Sequence, residues 1–249
     1  MIKKAILFIT AITLMAFSLK ETRPITVFLI GDSTVADKPY RISNPEKGWG
    51  QVLPLYFDEN VRVENYALNG RSTKSFIDEG HWEKVKSKIQ SGDYVIIEFG
   101  HNDQKEDSPD RYADPDIEYP RLLSKYIAET RERGGIPILA SPIARRKFDE
   151  RGYLLDTHGK YPDAVRQVAL KEGVLFFDMH NKSKDLLLEF GPERSKQLFL
   201  HLMPGEYDNL PKGAVDDTHL SGTGAFKICD LAIEEIKKKV PSLSKYLKE

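Results

Sequence analysis

The stretch Ile25-Thr26-Val27-Phe28-Leu29-Ile30-Gly31-Asp32-Ser33-Thr34 runs from six apolar or β-branched residues into a glycine, an acid and two hydroxyls. An unbroken run of this kind has no polar face, so it fits a strand covered on both sides. Similar runs recur at residues 61–67, 94–99, 136–140 and 174–177. The spacing between them is helical. Trp82, Val85 and Ile89 share one face, as do Leu122, Leu123, Tyr126, Ile127 and Thr130, which Gly134-Gly135 then closes. Val165, Val168 and Ala169 mark a third helix. Ser221 is a fair N-cap for a last one, whose stripe is Ala225, Ile228, Ala232, Ile236 and Val240 and whose end carries Lys237, Lys238 and Lys239.

Strand and helix alternating in this way predict an α/β fold, a three-layer α/β/α sandwich around a five-stranded parallel sheet. Right-handed crossovers then bring the loops that carry chemistry to the carboxyl ends of the strands. Residues 143–161 and 193–215 are less periodic and read as surface excursions near that edge. No composition break divides the chain, so residues 24–249 are expected to form one catalytic domain.

Composition narrows the function classes. The 249 residues carry 37 Lys+Arg against 38 Asp+Glu, a formal net charge of -1 that offers no footprint for nucleic acid or an anionic membrane. The single cysteine, Cys229, excludes an intramolecular disulfide, a CxxC redox pair and a multi-cysteine zinc site. It lies on the apolar stripe of the last helix and reads as a small hydrophobe. At the other end, Lys3 and Lys4 precede an apolar run over residues 5–19, with small residues at Ala16 and Ser18. That is the pattern of a secretory leader over residues 1–18, and the run is short for a membrane span. An exported protein, periplasmic or extracellular, is expected.

Four short blocks fall where the fold would place chemistry. Ser33 follows the first strand and could be a nucleophile on a tight turn, although a hydroxyl there is more commonly a helix cap. The GxSxG elbow is absent, because Val35 stands at its second glycine. Asn69-Gly70 follows the second strand. Gly70 is either a turn residue or a position where a missing Cβ lets an N–H approach a substrate oxygen. Asn102, after the third strand in Gly100-His101-Asn102-Asp103, is a turn former or an amide donor. Asp216-Asp217-Thr218-His219 precedes the final helix, in what reads as a loop. His219 is near enough to Asp216 for a carboxylate to fix its tautomer; a solvated surface histidine is the alternative.

Together these blocks, GDST at Ser33, NG at Gly70, GHND at Asn102 and DDTH at His219, resemble in order and spacing those of the SGNH (GDSL-like) hydrolases. Lys47-Gly48-Trp49-Gly50-Gln51, residues 67–73 (ALNGRST), residues 142–146 (PIARR) and residues 201–206 (HLMPGE) are similar to the rhamnogalacturonan acetylesterase branch. The resemblance implies the flavodoxin-like SGNH fold and a secreted serine esterase that removes O-acetyl groups from a plant cell-wall polysaccharide. It makes Ser33 the nucleophile, His219 the base and then acid, and Asp216 its orienter, with Asp217 left as a solvated or capping carboxylate. The oxyanion hole would be Ser33, Gly70 and Asn102. Trp49, Arg71 and His201 are candidate substrate-binding residues, with Arg145 and Arg146 as further guanidinium groups for a uronate carboxylate. His101 reads as structural. The chemistry implied needs no metal or organic cofactor. The expected partner is an acetylated poly- or oligosaccharide, met by a monomer without nucleic acid or, once the leader is cut, membrane.

Overall fold

The computed structural model describes residues 23–41 and 44–248, so the leader expected over residues 1–18 lies outside the described residues. Five strands, β1 (Ile25–Gly31), β2 (Val61–Asn65), β3 (Tyr94–Glu98), β4 (Ile136–Ala140) and β5 (Leu175–Phe177), form one parallel sheet in the order β2-β1-β3-β4-β5. Alternate residues of the apolar runs feed two different cores, which is why no polar position interrupts them. Val27 and Leu29 of β1 face one core, while Phe28 and Ile30 face the other.

Helices cover both faces. Helices α1 (Trp49–Val52), α6 (Met179–Arg194), α7 (Gly222–Lys239) and α8 (Pro241–Ser244) pack on the first core through residues such as Trp49, Leu187, Ile228, Cys229 and Leu243. Helices α2 (Thr73–Asp78), α3 (His81–Lys86), α4 (Glu118–Glu132) and α5 (Tyr161–Glu172) supply Phe76, Trp82, Tyr126 and Val165 to the second. Ser221 caps α7 as expected, its hydroxyl accepting from the Gly224 N–H at 3.1 Å. Among the described residues no helix is long and apolar enough to cross a membrane.

The sheet order fixes the site. From β1 the chain moves to β2 on one side, and β3 lies on the other, so the carboxyl ends of β1 and β3 frame a topological switch point. Ser33 follows β1 and Asn102 follows β3. Two expectations need correction here. The DDTH block is strand rather than loop: β7 (Ala214–Leu220) pairs antiparallel with β6 (Phe199–Leu202), setting Leu200 opposite Asp216 and His201 opposite Val215. Residues 143–161 are likewise more than a surface excursion, because Ile143, Ala144, Arg146 and His158 are buried.

Candidate active site

Beyond β1 the backbone turns around Asp32. Its main-chain carbonyl accepts from the Val35 and Ala36 N–H groups at 3.2 and 3.0 Å. Its Oδ1 accepts from the Thr34 N–H and hydroxyl, both at 2.9 Å, and Oδ2 lies 3.1 Å from His101 Nδ1. Ser33 is thereby presented at the apex of a turn whose geometry is set by its neighbours. Burial raises the Asp32 carboxyl, but the His101 and Thr34 contacts outweigh it and hold the group at about 2. Glu98, fully buried at the end of β3, goes the other way: burial first, and the Asp32 charge second, push it well above the usual carboxylate range. Of this adjacent pair, Asp32 is the one held in its charged form and Glu98 the one whose charge is disfavoured.

Glu98 also explains Trp49. The indole N–H donates to Glu98 Oε2 at 3.1 Å and the side chain is 0% exposed. Trp49 therefore has no face to offer a sugar ring, and its expected substrate-binding role is corrected to that of a core anchor beneath the nucleophile turn. Gly48 beside it serves close approach, since a Cβ there would lie 2.2 Å from the Ala36 carbonyl oxygen.

β7 brings the base to this turn. His219 Nε2 stands 3.0 Å from Ser33 Oγ, and His219 Nδ1 stands 2.7 Å from Asp216 Oδ2. A carboxylate only accepts, so Nδ1 carries the proton and the Nε2 lone pair faces the serine. The second Asp216 oxygen accepts from the Thr218 and His219 N–H groups at 2.7 and 3.0 Å. Burial raises Asp216, yet these hydrogen bonds outweigh it and hold the carboxyl at about 2. The hydrogen bond with Asp216 lifts His219 above the ordinary histidine value, against an opposing effect of burial.

Asp217 takes a different place from the solvated one expected. Its Oδ1 receives Arg146 Nη1 and His201 Nε2, each at 2.7 Å. Arg146, buried and not solvated, also donates to Ser195 Oγ at 3.1 Å and to the Pro192 carbonyl. His201 joins this cluster through Nε2 and fastens the β6–β7 hairpin. Arg71 is also engaged, pairing with Glu79 Oε2 through Nε at 2.9 Å and Nη2 at 2.8 Å. Breaking a buried pair strands its partner, so Arg146→Ala is expected to cost about 3 kcal/mol. For a chain of this size that is roughly 6–12 °C in Tm. Thermal unfolding checks it, and an unchanged Tm would remove the fastening role.

Gly70 has φ +76°, in the left-handed region, and a Cβ added there would meet only Arg111 Nη1, at 4.0 Å. Backbone conformation rather than crowding within the protein calls for glycine at this turn. Asn102 is 4% exposed, and its Nδ2 donates to the carbonyl of Arg71, the residue after Gly70, at 3.1 Å. That bond uses one amide hydrogen and leaves the second for another acceptor. The Asn69 side chain accepts from the buried Lys38 ammonium, which also pairs with Glu46 at 2.8 Å. Sequence reasoning missed Glu98 and Lys38. Glu98 leaves a trace, as an acid closing an apolar strand run; Lys38 leaves none. A separate cavity of about 800 Å³ between α4 and α5, lined by Ile117, Arg121 and Gln167 among others, holds none of Ser33, Asp216 or His219.

A serine, histidine and carboxylate in line at the switch point of a parallel α/β/α sandwich is an arrangement suited to acyl transfer, and with the following relatives it makes the chain a carboxylic ester hydrolase. Residues 29–225 match the model of the GDSL-like Lipase/Acylhydrolase family, and the chain belongs to that family. It is 41% identical over 216 residues to rhamnogalacturonan acetylesterase RhgT of Bacillus subtilis (strain 168), covering 87% of this chain and 91% of that one. It is 34% identical to the probable rhamnogalacturonan acetylesterase YesY of the same organism, covering 85% and 92%. Among solved structures, the crystal structure of Bacillus subtilis YxiM superposes with a TM-score of 0.74 at 27% identity, covering 87% of this chain and 57% of YxiM.

Proposed function

We propose that the protein is an exported acetylesterase that removes O-acetyl groups from rhamnogalacturonan through an acetyl-enzyme on Ser33. The observation that carries the chemistry is the chain of contacts Ser33 Oγ to His219 Nε2 at 3.0 Å and His219 Nδ1 to Asp216 Oδ2 at 2.7 Å. Ser33 Oγ attacks the acetyl carbonyl carbon while His219 Nε2 takes the hydroxyl proton. The carbonyl electrons collect on an oxygen facing the N–H groups of Ser33 and Gly70 and the free amide hydrogen of Asn102. The bond to the sugar oxygen then breaks, and that oxygen receives the proton from His219. Water, deprotonated by His219, cleaves the acetyl-serine by the same route and frees acetate.

The sugar assignment rests on the names carried by RhgT and YesY and on their identity over most of both chains. Export rests on the sequence pattern of residues 1–18 alone. Asn102→Ala is expected to lower kcat by about 10²–10³, the usual loss for one oxyanion donor, with little change in KM. Steady-state kinetics on a short aryl acetate read this directly, and a loss confined to KM would take Asn102 out of the oxyanion hole. The substrate is tested by acetate release from acetylated rhamnogalacturonan and from acetylated xylan. Preference for the pectic polymer supports the reading; equal rates would leave an esterase without it.

A further inference from the structure

Among the described residues, three cations near this site make no salt bridge. The segment after β3 turns back directly from Asn102, with the Lys105 N–H on the Asn102 carbonyl at 3.3 Å and the Arg111 N–H on the Ser108 carbonyl at 2.9 Å. That turn brings Arg111 up to Gly70. Its Nη1 comes within 4.0 Å of the Cβ position of Gly70, while Nη2 is steadied by Ser108 Oγ at 2.8 Å. Arg145, on the segment after β4, is fixed by the carbonyls of Thr157 at 3.2 Å and His101 at 3.3 Å. His101 immediately precedes Asn102, so this contact sets the Arg145 guanidinium beside the same strand end as the oxyanion amide. Lys105 completes the group: burial, then the Arg111 and Arg145 charges, press its ammonium below the usual lysine range.

Their pairing sets these cations apart from their neighbours. Arg71 holds Glu79, Arg146 holds Asp217 and Lys38 holds Glu46. Among the described residues, Lys105, Arg111 and Arg145 have no carboxylate within 4.0 Å. The acids whose charges reach them are committed elsewhere, Asp32 to Thr34 and His101 and Asp216 to His219. Asp107, beside Lys105, is exposed on the same turn. Half-buried like charges held together without a counter-ion destabilise the fold, and a bound anion offsets that cost. Two guanidinium forks and an ammonium suit a planar carboxylate.

We propose that Lys105, Arg111 and Arg145 form a carboxylate-binding subsite next to Gly70 and Asn102, which takes the uronate carboxylate of the polysaccharide being deacetylated. This rests on the pectic substrate proposed above and locates the recognition in residues other than Arg71, Arg146 and His201. A neutral acetylated polysaccharide has nothing to place there, so the subsite discriminates by charge.

The test uses acetylated rhamnogalacturonan oligosaccharides with their carboxyl groups either free or reduced to alcohols, and a short aryl acetate as the reference reaction. The full-length enzyme is expected to show kcat/KM about tenfold or more higher on the free-carboxyl form, mostly through KM. Raised ionic strength should shrink that preference. Arg111→Ala and Lys105→Ala should each lose most of it, measured as the ratio to aryl acetate turnover. Arg145 is left intact because it also holds two carbonyls. Equal kcat/KM on both oligosaccharide forms would overturn the subsite and leave the substrate reading standing. Variants that lose both reactions in equal proportion would mark these residues as loop supports and overturn it too. Release from neither form, with aryl acetate still hydrolysed, would overturn the subsite together with the pectic substrate.

Discussion

Ser33→Ala is expected to lower kcat on a short aryl acetate by about 10⁵–10⁶, the scale seen when a serine nucleophile is removed. In the proposed mechanism Ser33 Oγ alone supplies the electron pair of the new carbon–oxygen bond. Among the described residues, no other hydroxyl makes a hydrogen bond with His219 Nε2. The fold should survive the change. Asp32, through its bonds to the Thr34, Val35 and Ala36 N–H groups, builds the turn, and the Ser33 hydroxyl has no part in those bonds. A Tm matching the parent would therefore accompany the loss, so inactivity could not be put down to unfolding. Because serine and histidine act as one unit, adding His219→Ala should cost little more, leaving the residual rate that the oxyanion donors and binding supply. Activity within tenfold of the parent in Ser33→Ala would remove Ser33 as nucleophile.

The second large effect belongs to Asp216. Asp216→Asn keeps shape but removes the charge and offers His219 Nδ1 an amide, which allows the wrong tautomer; a loss of about 10⁴ in kcat is expected. The pH dependence separates this from a general disturbance. His219 must be neutral to take the serine proton, and its hydrogen bond with Asp216 holds it above 6.5. In the parent, kcat/KM should therefore rise with pH through a value above 6.5, since the protonated base is inactive below it. Without the carboxylate the imidazolium loses its partner, and the same limb should move to lower pH. A pH–rate profile of parent and variant reads both. An unshifted limb would show that another group governs it.

The sheet was legible because physics leaves its strands little choice. β1, β3 and β4 are covered on both faces, so their apolar runs are continuous and their limits fall within a residue of the pattern. β7 has the opposite problem. It belongs to a two-stranded ribbon with Val215 exposed and only Leu220 buried, so no apolar alternation marks it. α6 was hidden for a related reason: Leu186-Leu187-Leu188 run consecutively, only Leu187 of them is buried, and the helix breaks at Gly191. At the site, residues close in sequence to a strand end were readable and long-range pairings were not. The i,i+3 pairing of Asp216 with His219 is written in the chain. The partnership of Trp49 with Glu98 spans 49 positions and that of Arg146 with Asp217 spans 71, and no local pattern announces either. Hence an aromatic suited to sugar contact is a core anchor.

The central claim is that Ser33, activated by His219, forms the acyl-enzyme. A fluorophosphonate tests it most directly, since the activated oxygen displaces fluoride and becomes phosphonylated. Peptide mapping by mass spectrometry should place a single adduct on the peptide containing Ser33, with esterase activity lost in proportion to labelling. His219→Ala should label far more slowly. An adduct on another residue, or full activity in protein labelled at Ser33, would contradict the account.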